Sequence, residues 1–187
     1  MAELTISIIQ CHLHWEDKAS NLKMFEEKFA ALPPTSQVVF LPEMFSTGFS
    51  MRAEWYAESM EGETVQWLKQ MAASHRRILC GSLIIKENHL YFNRLLWVLP
   101  NGMCYHYDKR HLFAYAGEDQ HYTAGSNRLI AQVNGWKIAL MICYDLRFPV
   151  WARQNKDQYD ALVYIANWPD RRSLAWKTLL QARAIEN

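Results

Sequence analysis

Three side chains with complementary chemistry stand at comparable places along the chain. Glu43 closes the apolar run Val38-Val39-Phe40-Leu41-Pro42, Lys109 follows Met103 to Asp108, and Cys143 follows Trp136 to Ile142. Each run reads as a β-strand, so each reactive group falls at a strand's carboxyl end, where open sheets flanked by helices gather their ligand sites. A thiol with an unperturbed pKa near ~8.5 is mostly protonated at neutral pH; a nearby ammonium favours its thiolate, and a nearby carboxylate can take its proton. The same ammonium can then hold the oxyanion formed when sulfur attacks a carbonyl or nitrile carbon. Together the trio describes acyl transfer from an amide-like carbon. Each member also has an ordinary structural role open to it: Cys143 as a small buried hydrophobe, Glu43 as a turn cap, Lys109 as a solvated neighbour of Arg110.

The elements that must position these groups are legible in outline. Leu4 to Gln10 reads as a strand, and Ala19 to Leu32 as a helix with Leu22, Phe25, Phe29 and Leu32 on one stripe, stopped by Pro33-Pro34. The run at 38–41 suits a strand buried on both faces. Val65, Leu68, Met71 and Ala72 mark a second amphipathic helix, followed by a strand from Ile78 to Ile85, a loop over 86–89 and a strand from Leu90 to Leu99. Pro100-Asn101-Gly102 turns the chain into Met103 to Asp108, and Asn134-Gly135 signals a hairpin between Leu129–Val133 and Trp136–Ile142. Ala161 to Ala166 is a further strand, and Ser173 opens a helix with Trp176, Leu179, Leu180 and Ala184 on one face. Between them, 110–127 is a long polar and aromatic loop, and long ordered loops are usually functional. Such a mixture, without repeats or linkers, is a layered α and β domain.

Composition narrows the partners. At 187 residues, half of them hydrophobic and 21% charged, the chain is neither disordered nor low-complexity. Taking about 150 residues per domain gives one domain over 1–187. Its net charge of +1 creates no field to gather nucleic acid or an anionic membrane. No run approaches the ~18 apolar residues of a membrane span, and the start of the chain, with Glu3, is no signal peptide. Cys11, Cys80, Cys104 and Cys143 lack CxxC spacing, which reads as a reduced, cytoplasmic protein. His12 and His14 share a face of an extended segment, but no third ligand follows, so no metal site is expected. A Cys-His hydrolase of the papain type has no local signature, and a binding module without turnover is the remaining rival.

Leu41-Pro42-Glu43-Met44-Phe45, Tyr107-Asp108-Lys109-Arg110-His111-Leu112-Phe113 and Ile142-Cys143-Tyr144-Asp145-Leu146-Arg147-Phe148-Pro149 resemble, in order, the three catalytic boxes of the nitrilase superfamily of carbon-nitrogen hydrolases. The resemblance implies an α/β fold, a four-layer α-β-β-α sandwich, needing neither metal nor cofactor. It implies Glu43 as general base and acid, Lys109 beside the tetrahedral intermediate, Cys143 as nucleophile, the Tyr144 N–H as an oxyanion donor, and Glu118 in the long loop as a fourth catalytic residue. It also implies a homodimer stacked through the face near the nucleophile. With Ala166-Asn167-Trp168-Pro169 and Ala182-Arg183-Ala184-Ile185-Glu186-Asn187, the chain looks most like the omega-amidase branch, which acts on the terminal carboxamide of 2-oxo acids such as 2-oxoglutaramate. Amide, nitrile and N-carbamoyl hydrolysis occur elsewhere in the superfamily. An omega-amide carries a carboxylate at its far end, which an Arg would meet bidentately; Arg172, Arg147 and Arg171 are placed for it, with Phe45, Tyr144 and Trp168 as pocket walls. Against the family 187 residues is short, and the chain is expected to be a C-terminally truncated form lacking part of the second sheet.

Overall fold

The computed structural model describes residues 2–187. Its strands are β1 (Ile6–Ile8), β2 (Val38–Phe40), β3 (Ile78–Glu87), β4 (Leu90–Val98), β5 (Cys104–Asp108), β6 (Leu129–Val133), β7 (Trp136–Ile142) and β8 (Ala161–Ile165). The helices are α1 (Lys18–Ala30), α2 (Ala53–Tyr56), α3 (Glu63–His75), α4 (Glu118–His121), α5 (Pro149–Ala152) and α6 (Ser173–Glu186). One sheet runs β1-β2-β3-β4-β5 and the other β6-β7-β8. β1, β2 and β3 are parallel, because α1 and α3 return the chain between them; β3-β4-β5 and β6-β7 are antiparallel hairpins, and β7 pairs with β8 in parallel.

Two layers of packing hold this arrangement. Val38, Phe40, Ile78, Cys80, Leu95, Trp97 and Tyr107 of the first sheet meet Ala131, Ile138, Leu140 and Ile142 of the second. On the first sheet's other face, Val39, Leu79, Leu96 and Val98 pack against Phe25 and Phe29 of α1 and Val65, Leu68 and Ala72 of α3. The alternation along β2 therefore feeds both layers, which is why Val38-Val39-Phe40-Leu41 is apolar throughout. α6 lies on the far side of the second sheet, where Leu180 and Arg183 face Leu162 and Tyr164 across a cavity of about 270 Å³.

Some details depart from the sequence expectation. The β3-β4 turn is tighter than a four-residue loop: Asn88 and His89, at φ 48° and 64°, form a two-residue connection that matches strand twist. The 110–127 segment is not all loop, since a 3₁₀ turn at Ala114–Ala116 and α4 lie within it, joined at Gly117 with φ 76°. In α6, Ala184 is exposed and Arg183 is the buried residue; its Nε and Nη2 donate to the Leu146 carbonyl at 3.1 and 2.8 Å. The helix meets the Cys143–Arg147 turn through an orphan carbonyl there, which needs a donor rather than a methyl group.

The end of β5 is fixed from two directions. Arg94 of β4 makes a bidentate pair with Asp108, Nε–Oδ1 2.7 Å and Nη2–Oδ2 2.9 Å. Gly125 donates its N–H to the Lys109 carbonyl at 2.9 Å, so close that a Cβ there would lie 2.2 Å from the Asp108 carbonyl oxygen. Gly125→Ala is expected to lower stability by about 1–3 kcal/mol through overpacking, and with it activity, as the strand end bearing Lys109 is pushed aside. Chemical denaturation alongside a rate assay measures both.

Candidate active site

β2, β5 and β7 deliver Glu43, Lys109 and Cys143 to one place. Glu43 lies just past β2, and the next residue, Met44, takes φ 45° and donates its N–H to Ser82 Oγ at 2.8 Å, bending the chain away. Cys143 itself takes φ 43° at the start of a 3₁₀ turn over Cys143–Arg147, a strained conformation for a residue with a side chain. Being first and second in that turn, Cys143 and Tyr144 have N–H groups without intrahelical acceptors, so the Tyr144 N–H is free of the helix ladder.

The charged centre is fully buried. Lys109 Nζ stands 2.8 Å from Glu43 Oε1, and 3.0 and 2.8 Å from Glu118 Oε1 and Oε2, with all three side chains inaccessible to solvent. Burial by itself would depress the lysine's pKa, but the attractions of Glu43 and Glu118 outweigh it and hold Lys109 protonated, above its ordinary range. Glu118 is pushed upward by burial, with the lysine opposing. Its Oε2 also accepts the Phe113 N–H at 2.6 Å, tying the long loop to the site. Glu43 Oε2 accepts the Asn167 N–H at 2.9 Å, from just beyond β8. The Phe49 ring covers the ammonium, 5.0 Å from ring centre to Nζ.

Asn93, in the middle of β4, carries no motif and was not anticipated. Its amide nitrogen donates to Glu43 Oε1 at 2.8 Å and to Glu118 Oε1 at 3.2 Å, bridging the two carboxylates. The opposite amide orientation would set an oxygen against two anions.

The thiol of Cys143 is buried, with Glu43 and Lys109 the charges that act on it, and its pKa is raised well above the ordinary value: burial is the main cause, the Glu43 charge adds to it, and Lys109 only partly opposes. The ammonium does favour the thiolate, as the sequence leads one to expect, but burial and the Glu43 charge outweigh it. Two anions already share one cation here, and a third would be unneutralised in a dry site.

A cavity of about 60 Å³ opens beside Cys143, lined by Phe49, Phe113, Tyr144, Arg147, Asn167, Trp168, Pro169 and Arg172. Tyr144, Trp168, Arg147 and Arg172 line this cavity, whereas Arg171 does not. Phe45 is corrected: it is fully buried on the helix side of the first sheet, edge-on to Phe25 at 5.5 Å, and Phe49 forms the wall instead. The Arg172 guanidinium lies over Phe113 and Tyr115, at 5.1 and 5.2 Å, and that of Arg147 over Trp168 at 5.7 Å. Among the described residues neither pairs with a carboxylate. There, too, no group of three or more His, Cys, Asp and Glu side chains is disposed to hold a metal, and no helix is long and apolar enough to cross a membrane.

Two sheets between helices, with a thiol, a carboxylate and an ammonium converging from three strand ends, define a thiol-dependent hydrolase fold of the α-β-β-α kind. The carbon-nitrogen hydrolase family model matches residues 5–187, and the chain belongs to that family. It is 43% identical over 187 residues to omega-amidase YafV of Yersinia enterocolitica, covering 100% of this chain and 72% of that protein. It is 33% identical to 2-oxoglutaramate amidase of Bacillus subtilis over 98% of this chain and 72% of the relative. The crystal structure of XC1258 from Xanthomonas campestris, a superfamily protein with an arsenic adduct in its active site, superposes with a TM-score of 0.96. That protein is 43% identical, and the match covers 100% of this chain and 73% of it.

Because burial holds the thiol protonated, ultraviolet difference absorbance between the wild type and Cys143→Ala should show the Cys143 thiolate still increasing as pH passes 9.0. A thiolate signal already complete at neutral pH would show instead a resting ion pair.

Proposed function

We propose that the protein is an omega-amidase: it hydrolyses the terminal carboxamide of a small 2-oxo acid, with 2-oxoglutaramate as the reference substrate, to the dicarboxylic 2-oxo acid and ammonia. The observation that carries this reading is the buried Glu43-Lys109-Glu118 cluster with the Cys143 thiol, which lines a small cavity with two guanidiniums that lack a carboxylate partner among the described residues. The likeness to YafV and to 2-oxoglutaramate amidase supports the substrate class.

In the first half-reaction Glu43 takes the Cys143 proton as sulfur adds to the amide carbon. The carbonyl oxygen becomes an oxyanion between Lys109 and the Tyr144 N–H. Glu43, once protonated, no longer attracts Lys109 as an anion, so the lysine N–H it held is released to the oxyanion as charge develops there. Glu118 accepts from Lys109 with both oxygens and keeps the ammonium in place during the exchange. Glu43 then gives its proton to the amide nitrogen, ammonia leaves and a thioester remains. In the second half, Glu43 draws a proton from water as hydroxide adds to the thioester carbon, and when the C–S bond breaks Glu43 returns that proton to the departing sulfur, freeing the acid and restoring the thiol.

The substrate carboxylate meets Arg172 or Arg147 on the cavity wall. Phe49, Phe113, Tyr144 and Trp168 close round the short carbon chain. Exposed Tyr115, Val150 and Leu174 flank the elements bearing the site and support a homodimer joined near the nucleophile, and four free cysteines support a location in the cytoplasm.

Ammonia release from 2-oxoglutaramate, short omega-amides, simple amides and nitriles tests the assignment. The expected result is highest kcat/KM for 2-oxoglutaramate and no turnover by Cys143→Ala; residual turnover by that variant overturns the mechanism. Arg172→Gln or Arg147→Gln should raise KM for 2-oxoglutaramate by roughly tenfold to a hundredfold, the worth of a charge-assisted hydrogen bond, while leaving an uncharged amide unaffected.

A further inference from the structure

Asp145, two residues beyond the nucleophile, is fully buried and makes four hydrogen bonds. Its Oδ2 accepts from the Tyr107 hydroxyl at 2.7 Å and from the Ile142 N–H at 3.0 Å; its Oδ1 accepts from the His111 N–H at 2.9 Å and from His111 Nδ1 at 2.8 Å. A carboxylate flanked by backbone donors fixes the imidazole tautomer with the proton on Nδ1.

The donors are distributed in a particular way. Ile142 immediately precedes Cys143, so the carboxylate spans the nucleophile and closes the turn that holds it at φ 43°. Tyr107 and His111 lie two residues either side of Lys109. The hydroxyl of Tyr107 in turn accepts from Trp151 Nε1 at 3.0 Å and from the Arg110 N–H at 3.2 Å, which leaves its own proton for Asp145. Burial first, and then the neighbouring Asp145 charge, keep that phenol protonated well above its ordinary range. The His111 ring stacks on Phe148, 3.8 Å between centroids and 7° from parallel, adding a second tie between the two segments.

We propose that Asp145 is a positioning residue for the first chemical step. By binding both flanks of Lys109 and the residue before Cys143, it fixes the distance and direction of the thiol relative to the Glu43-Lys109 pair. The inference rests on the reading of Cys143 as nucleophile. It extends that reading to a residue that touches neither substrate nor the reacting atoms. In Asp145→Asn the side-chain shape is kept, but one acceptor oxygen becomes a donor facing a backbone N–H, either of Ile142 or of His111.

The test uses Asp145→Asn, Tyr107→Phe and their combination, each followed by thermal melting, by steady-state amide hydrolysis and by the rate of Cys143 alkylation with iodoacetamide read by peptide mass. Asp145→Asn is expected to lower kcat by about 10²-fold, the cost of a displacement of about 1 Å, with KM changed by less than about twofold. Alkylation of Cys143 should slow in parallel while that of Cys11 does not change. Tyr107→Phe, which keeps its ring in the core, should lower both rates by about threefold to tenfold. The double variant should be no slower than Asp145→Asn alone, since both act through one carboxylate. Wild-type kcat and Cys143 alkylation in a folded Asp145→Asn overturn the proposal, as does a double variant slowed by the product of the single effects. Should Asp145→Asn fail to fold, Tyr107→Phe decides, wild-type rates in both assays overturning the proposal. A wild-type protein that releases ammonia from no amide would sink the omega-amidase reading, and the alkylation rates would still judge the role of Asp145.

Discussion

Lys109 carries an ammonium into a place without water, and everything around the site follows from that. Removing a charge from solvent costs several kcal/mol or more, recovered only by close partners of opposite sign. Here the partners are two carboxylates, at 2.8 Å each, contributed by the end of β2 and by the long loop after β5. The cluster therefore ties together segments distant in sequence. Burial first, and the Glu43 charge after it, raise the pKa of the Cys143 thiol well above its ordinary value. The proposed mechanism accordingly begins with proton transfer to Glu43 rather than from a waiting thiolate. Asn93 completes the arrangement by donating to both carboxylates at once.

Such a cluster demands accurate backbone, and the chain supplies it at some local cost. Met44, beside Glu43, and Cys143, the proposed nucleophile, both sit in left-handed conformations that residues with side chains seldom adopt. Each is held by a side chain accepting an N–H: Ser82 takes that of Met44, and Asp145 that of Ile142. Gly125 allows a second segment to lie against the Lys109 strand end where no side chain would fit. These are compensations of the sort found where function, not packing, dictates φ.

The sequence disclosed the reactive residues better than their supports. Glu43, Lys109 and Cys143 each terminate a recognisable apolar strand and lie within motifs shared with a known superfamily, so pattern and chemistry pointed the same way. Glu118 depended on the resemblance alone, since nothing in Gly-Glu-Asp-Gln tells which carboxylate turns inward. Asn93 was invisible because a polar residue in a strand ordinarily faces water; only the pairing of β4 with β5 brings it opposite the buried lysine. Phe45 misled because aromatic residues four apart on one loop, Phe45 and Phe49, divide between the core and the cavity through the bend at Met44, and periodicity does not register a left-handed residue. The same limit applies to α6, where apolar spacing marked Ala184 as inward but the carbonyl of Leu146 drew Arg183 there. Signals of hydrophobic burial are strong in a single sequence, whereas the need to satisfy one particular polar atom depends on a neighbour that sequence order does not reveal.

The two sheets also divide the labour of the reaction. Glu43, Lys109 and the bridging amide of Asn93 belong to the first sheet or its loops, and Cys143, the proposed nucleophile, belongs to the second. Their relative placement depends on the apolar layer between the sheets and on a few polar links across it. The Asn167 N–H, beyond β8, reaches Glu43, and the Tyr107 hydroxyl, from β5, reaches Asp145 beside the nucleophile. Apolar packing alone fixes the spacing of such layers but tolerates small slides, since it has no direction. Hydrogen bonds to charged oxygens have both length and angle, and two of them on either side of the thiol suffice to define its position. The cross-sheet polar links thus do for the sandwich what the left-handed turns do for each strand end: they convert a stable fold into one particular distance between sulfur and carboxylate.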